Sequence, residues 1–186
     1  MIYKIGVRGT TPLIQDNGQT FTRAQASGKK KSRGEQQESP DDIQEKVYMF
    51  NGKYAHPSQG FMNSFLRAAS LGGYKIGRHG ARSLLAGALT ITPMPLVELH
   101  VVGKPEPYGV RCVIPATGGS IYRIRPLWNH WGADFRLDVD EMVWPSSAAK
   151  TLEEILKFSG RAVGVGCWRP EREGQFGKFD LKSELI

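Results

Sequence analysis

Cysteine is nearly absent from this chain: Cys112 and Cys167 are the only two in 186 residues. Two cysteines cannot supply a zinc finger or a multi-bridge disulfide scaffold, and they favour a reducing compartment. No Asn-x-Ser/Thr sequon occurs. No stretch approaches the ~18 consecutive apolar residues of a membrane span. The opening run Met1–Gly9 carries Lys4 and Arg8, so a signal-peptide core is not expected there. Absent too are the G-x-S-x-G, H-E-x-x-H and kinase signatures. A cytoplasmic, membrane-independent protein is the expectation.

Acid is also in short supply. There are 18 Asp and Glu against 25 Lys and Arg, a net charge of +7. Such a surplus favours polyanionic partners, although solubility alone also accounts for it. With 40% hydrophobic residues, the length fits one domain able to bury a real core.

The chain begins as a strand over residues 2–15, anchored by Ile2, Val7, Leu13 and Ile14, with Gly9 and Pro12 bending it. Residues 16–45 then contain only Phe21 and Ile43 as large apolar side chains. Their first half is basic (Arg23, Lys29, Lys30, Lys31, Arg33) and their second acidic (Glu35, Glu38, Asp41, Asp42, Glu45). Burial cannot offset the ordering entropy of such a stretch, so a flexible insertion is expected, unless the two charge blocks fold back on each other.

Strand character returns at Lys46–Tyr54, where Asn51-Gly52 signals a hairpin. Ser58 suits the cap of a helix running to Leu71, whose buried face carries Phe61, Phe65, Leu66 and Ala69. A short helix at Ala81–Leu89, a strand at Leu96–Val102 and a loop-rich stretch over 103–119 follow. Strands at Ser120–Leu127 and Ala133–Val139 are expected to pair across a turn at Asn129–Gly132. A second long helix begins at Pro145-Ser146-Ser147, with Leu152, Ile155, Leu156 and Ser159 as its buried stripe. A last strand covers Gly177–Leu181. Strand–helix–strand occurs twice, which predicts an α+β domain of ferredoxin-like (split βαβ) type. It would span residues 1–186, with an antiparallel sheet, helices on one face and an insertion after the first strand.

The densest chemistry lies between Gly164 and Phe179. Gly164, Gly166, Gly174 and Gly177 alternate there with Arg169, Arg172 and Lys178, beside Trp168 and Phe176. Glycines let backbone amides approach phosphates, cations supply charge and the aromatics can stack on bases. The run equally suits a helix cap and a tight helix-to-strand turn. It lacks the GK[ST] ending of a Walker loop and follows a helix, unlike the dinucleotide fingerprint. A second interleaving of aromatic and basic residues is Tyr122, Arg123, Arg125, Trp128, Trp131 and Arg136. Arg123 and Arg125 share one strand face, suited to tracking phosphates or simply to solvent. His56, His79, His100 and His130 show no metal-ligand spacing. His56 could serve acid–base chemistry in RNA cleavage, but no second partner is identifiable, so no catalytic residue, metal or cofactor is assigned.

Two segments together resemble the RAMP superfamily, the ferredoxin-like proteins that build CRISPR effector complexes. His56-Pro-Ser-Gln-Gly-Phe-Met-Asn-Ser-Phe-Leu-Arg67-Ala-Ala is similar to that family's small-residue turn into the first helix. Gly164-Val-Gly166 and Gly174-Gln-Phe-Gly177-Lys-Phe resemble its closing glycine loop. The insertion is similar to the family's nucleic-acid-clasping insertions. The same closing run also resembles small proteins of tailed phages and prophages. The resemblance implies a non-catalytic single-strand binder of RNA or DNA, with a homo-oligomer, a filament or other subunits of a nucleoprotein complex as partners. The expected contacts are Lys29, Lys30, Lys31, Arg33, Arg67, Arg123, Arg125, Gly164, Gly166, Trp168, Arg169, Arg172, Gly174, Phe176 and Lys178. Alternatives are sequestration of a nucleotide signal of host defence near the glycine loop, and a ribonuclease using His56.

Overall fold

The computed structural model of the protein describes residues 1–17, 40–113 and 120–182. Most of the insertion, including Lys29, Lys30, Lys31 and Arg33, lies outside the described residues. Its far end is a 3-10 helix, Pro40–Lys46.

Alternation of apolar and charged side chains builds the first strand. In β1 (Ile2–Gly9) Tyr3, Ile5 and Val7 are buried, while Lys4 and Arg8 face outward. β1 lies antiparallel between β11 (Trp131–Val139) and the short β12 (Phe179–Leu181). The other edge of β11 is shared by β7 (Leu89–Thr92) and β8 (Leu96–Val101). These two are successive pieces of one line, interrupted by Pro93-Met94-Pro95, where two prolines remove ladder donors. β8 continues the sheet to the hairpin of β4 (Lys53–Pro57) and β3 (Tyr48–Phe50). Asn51 and Gly52 turn that hairpin with positive φ at both positions, as their sequence predicts. Every pairing in this sheet is antiparallel.

One face of the sheet is covered by helices. α1 (Ser58–Leu71) buries Phe61 and Phe65 against Phe135 of β11, with ring centroids 5.0 and 6.3 Å away. A short antiparallel pair, β5 (Lys75–Ile76) and β6 (His79–Gly80), leads into α2 (Ala81–Ala88), which buries Leu85, and α3 (Ala149–Phe158) buries Leu152, Ile155 and Leu156. The protein is therefore α+β with an open antiparallel sheet. None of its described helices is long and apolar enough to cross a membrane.

Three local expectations change. Ser58 does not cap α1; its hydroxyl donates to the Pro95 carbonyl (3.1 Å), and Pro57 holds the cap position. Part of the 103–119 stretch is a strand, β9 (Glu106–Val113). And β10 (Ser120–Trp128) does not pair with β11. It pairs with β9 and with β2 (Leu13–Ile14) in a separate three-stranded sheet. The two-residue connection Asn129–His130 carries the chain from one sheet to the other. Trp128 and Trp131, on either side of it, are both buried.

Candidate nucleic-acid interface

α3 continues as a π-turn, Ser159–Val163, and ends at Gly164. The segment that follows is a strap between β2 and the approach to β12. Val165 N–H donates to the Gly177 carbonyl (2.9 Å), Cys167 N–H to Ile14 (2.8 Å), and Gly177 N–H to Pro12 (2.8 Å). A methyl group at Gly166 would run into the Ile14 carbonyl oxygen, and one at Gly177 into that of Val165. Both glycines also have positive φ. Gly164 and Gly174 are likewise tight against backbone, of Gly177 and Trp168 respectively. The expectation of a phosphate cradle needs open amides. Here those of Val165, Cys167 and Gly177 bond neighbouring chain, and the glycines are there because backbone meets backbone.

Two of the expected cations are engaged in the same internal way. Glu171 accepts from Arg169 Nε and Nη2 at 3.0 and 2.8 Å, and is ion-paired with Arg67 of α1, Nε to carboxylate 3.0 Å. Arg169 Nη1 also donates to the Gly166 carbonyl (3.0 Å). The Glu171 side chain is 15% exposed. A carboxylate bracketed by two guanidiniums therefore ties the loop to α1, a charge-assisted arrangement in a partly dry site. Arg125 is engaged with Asp16 at 2.9 Å and reaches the Cys167 thiol. Burial, more than the Asp16 charge, raises the pKa of that thiol. Arg123 is half-buried on the same strand.

What the loop leaves outward is aromatic. Trp168 and Phe176 meet Tyr108 of β9 in edge and tilted contacts, with centroids 6.3 Å (Tyr108–Trp168), 5.4 Å (Tyr108–Phe176) and 6.5 Å (Trp168–Phe176) apart. None of the three is fully buried. Arg172, exposed and without an ion pair among the described residues, lies in the turn between Trp168 and Phe176, and half-buried Lys178 follows. The structure thus gathers Trp168, Phe176 and Arg172, adds Tyr108, turns Arg169 inward and ties half-exposed Arg67 to the loop through Glu171. Prolines at 105 and 107 and Gly109 hide Tyr108 in sequence, although Tyr108, Val110 and Cys112 alternate as a strand does.

His56 sits behind the loop, 5% exposed. Gln15 Nε2 contacts its Nδ1 (3.1 Å) while donating to the Ala55 carbonyl (2.8 Å), and Trp128 Nε1 donates to Gln15 Oε1 (3.2 Å). With the Gln15 amide donating, His56 Nδ1 accepts and the proton rests on Nε2. Burial, aided by the nearby Arg169 charge, lowers its pKa to about 4.

No protein-family model matches this chain, and no curated protein matches it either.

Proposed function

We propose that the protein binds single-stranded RNA or DNA without cleaving it, through an aromatic platform formed by Tyr108, Trp168 and Phe176. Arg172 and Lys178 contact adjacent phosphates, and the insertion lysines Lys29, Lys30, Lys31 and Arg33 add charge. The observation that carries this reading is the platform itself. Three aromatics from two distant segments meet at the surface rather than in the core, beside an arginine with no ion pair among the described residues. Stacking on such rings is sequence-tolerant and contributes about 1–3 kcal/mol per base.

The strand order supports a ferredoxin-like assignment, and with it the RAMP resemblance. Counting β7 and β8 as one line, the first strand lies between the last and third, with the second outside the third. A host-cytoplasmic phage protein acting as an oligomer or filament on a strand is consistent with both. The burial of His56, with its Nδ1 taken by Gln15, speaks against its use as a ribonuclease base.

The test is titration of a labelled oligonucleotide at several salt concentrations. The affinity should fall with a log–log slope of about −0.7 per phosphate contact. Trp168→Ala should weaken binding about fivefold or more, in line with the loss of one stacked base. Equal binding by wild type and Trp168→Ala, or affinity independent of salt, overturns the reading.

A further inference from the structure

At one end of the sheet, an open groove of about 840 Å³ is lined by residues of β1, β11, β8 and β4. That volume is within the range of small-ligand sites. Arg8, Gly132 and His100 are register partners across three adjacent strands. Neighbouring strands lie about 4.8 Å apart, so Arg8 and His100 stand about 10 Å from each other at the backbone, with a position lacking a side chain between them. Lys182 extends over the same notch, its Nζ 3.6 Å from where a methyl group on Gly132 would sit. The acids nearby each have a partner, including Asp180, the register partner of Arg8 on β12, which meets Arg161 at 3.3 Å. His100 Nε2 meets Asp134 Oδ2 at 2.9 Å, and Lys53 meets Glu98 at 2.6 Å. Arg8, Lys182 and His130 have no ion pair among the described residues. On the face of Arg8 and His100 the adjoining wall is Val102, 79% exposed; Val101, the register partner of buried Trp131, and Tyr54, in edge contact with Trp128, turn to the core side.

We infer that this groove is a phosphate site for a nucleotide. The phosphate rests over Gly132 between Arg8 and Lys182, and the nucleoside lies toward exposed Val102. Two cations converging on a notch without a side chain provide charge-assisted donors and the room for a tetrahedral anion. The same chemistry can come from a free nucleotide or from a phosphate of a bound strand. The site shares no residue with the aromatic platform, so it stands or falls apart from the strand-binding reading.

The experiment is calorimetric titration at low salt with adenosine 5′-monophosphate and with adenosine, on wild type, Arg8→Gln, Lys182→Gln and Trp168→Ala. Gly132→Ala is unsuited, because its methyl group would lie 2.8 Å from the Val7 carbonyl oxygen and disturb the sheet. The two charge variants alter only exposed side-chain ends. The monophosphate should bind about tenfold more tightly than adenosine, each charge variant should remove most of that difference, and Trp168→Ala should leave it intact. Competition by an oligonucleotide assigns the phosphate to a strand, and no competition assigns it to a free nucleotide; both sustain the site. Monophosphate and nucleoside binding alike, unchanged affinity in both charge variants, or no saturable binding up to about 10 mM overturns it.

Discussion

The closing loop and the sheet groove contain the same ingredients, glycine beside arginine and lysine, and put the cations to opposite uses. In the loop, Gly166 and Gly177 are pressed against carbonyl oxygens, and Arg169 is bound to Glu171 with Arg67 on its far side. In the groove, Gly132 also lies close to a carbonyl, that of Val7, but the cations beside it, Arg8 and Lys182, have no ion-pair partner among the described residues. Glycine and cation density in a sequence therefore marks close approach of some kind. Whether the approaching group is the protein's own backbone or a ligand depends on partners that come from elsewhere in the chain.

The largest effect that would sharpen this contrast is on stability. Gly177→Ala drives a methyl group into the Val165 carbonyl at a positive-φ position, so the strap must move or break. The expected loss is about 3–4 kcal/mol, or about 10 °C in Tm for a domain of this size. Thermal melting checks it. A Tm within a degree or two of wild type would mean the loop is loose enough to open for a ligand after all, and the contrast would fail.

Next comes acid. The folded pKa of His56, about 4, lies below its unfolded value near 6.5. Between those values the unfolded chain binds a proton that the folded protein excludes. The stabilisation is therefore complete above pH 6.5, declines as pH falls and is lost by about pH 4, for a total of about 3 kcal/mol. Urea unfolding across that window should show the slope in wild type and lose most of it in His56→Asn, which keeps an acceptor for Gln15. An equal slope in both proteins would show that His56 is not sealed behind the loop.

The local elements were largely legible in the sequence, and the long-range partners were not. Asn51-Gly52, the span of α1, the buried stripe of α3 and the alternation of β11 all follow from neighbours a few residues apart. β9 was obscured because Pro105, Pro107 and Gly109 lower local strand propensity, while its pairing with β10 forms the strand. Adjacency also misled at Asn129–His130, which has the length of a hairpin turn but joins two sheets. The loop aromatics could be picked out as candidates from their setting. Their third member, Tyr108, comes from a segment about sixty residues earlier. The inward role of Arg169 depends on Glu171, which could be proposed as a partner but not chosen over Glu173 or Asp180. The notch at Gly132 is invisible without the register, because Arg8, Gly132 and His100 are distant in sequence.

Of intermediate size is the clamp itself. Glu171→Gln removes the charge between Arg67 and Arg169 and leaves two guanidiniums facing a neutral amide, one of them mostly buried. The expected cost is about 2 kcal/mol, or about 5 °C in Tm, discounted from a fully buried pair because Arg67 is half in solvent. Arg169→Ala should fall in the same range, with strand affinity per folded molecule unchanged. A loss of affinity without a loss of Tm in Arg169→Ala would return that residue to the ligand side.

The smallest stability effect is expected at Arg172, and it divides the loop most finely. Arg172 is exposed, three residues from Arg169, and makes no ion pair among the described residues. Removing an exposed arginine with no partner changes stability by no more than about 0.5 kcal/mol, so the Tm of Arg172→Ala should match wild type within error. If Arg172 binds a phosphate beside the stacked aromatics, the same substitution should weaken oligonucleotide binding several-fold. It should also reduce the salt slope by about 0.7, the signature of one fewer phosphate neutralised on a single strand. Arg169→Ala and Arg172→Ala would then be mirror images, one losing melting temperature and keeping affinity, the other the reverse. Measuring both quantities on the same preparations decides the matter. If Arg172→Ala keeps both its Tm and its salt slope, the loop is structural throughout, and Trp168 and Phe176 face solvent for a reason other than a strand.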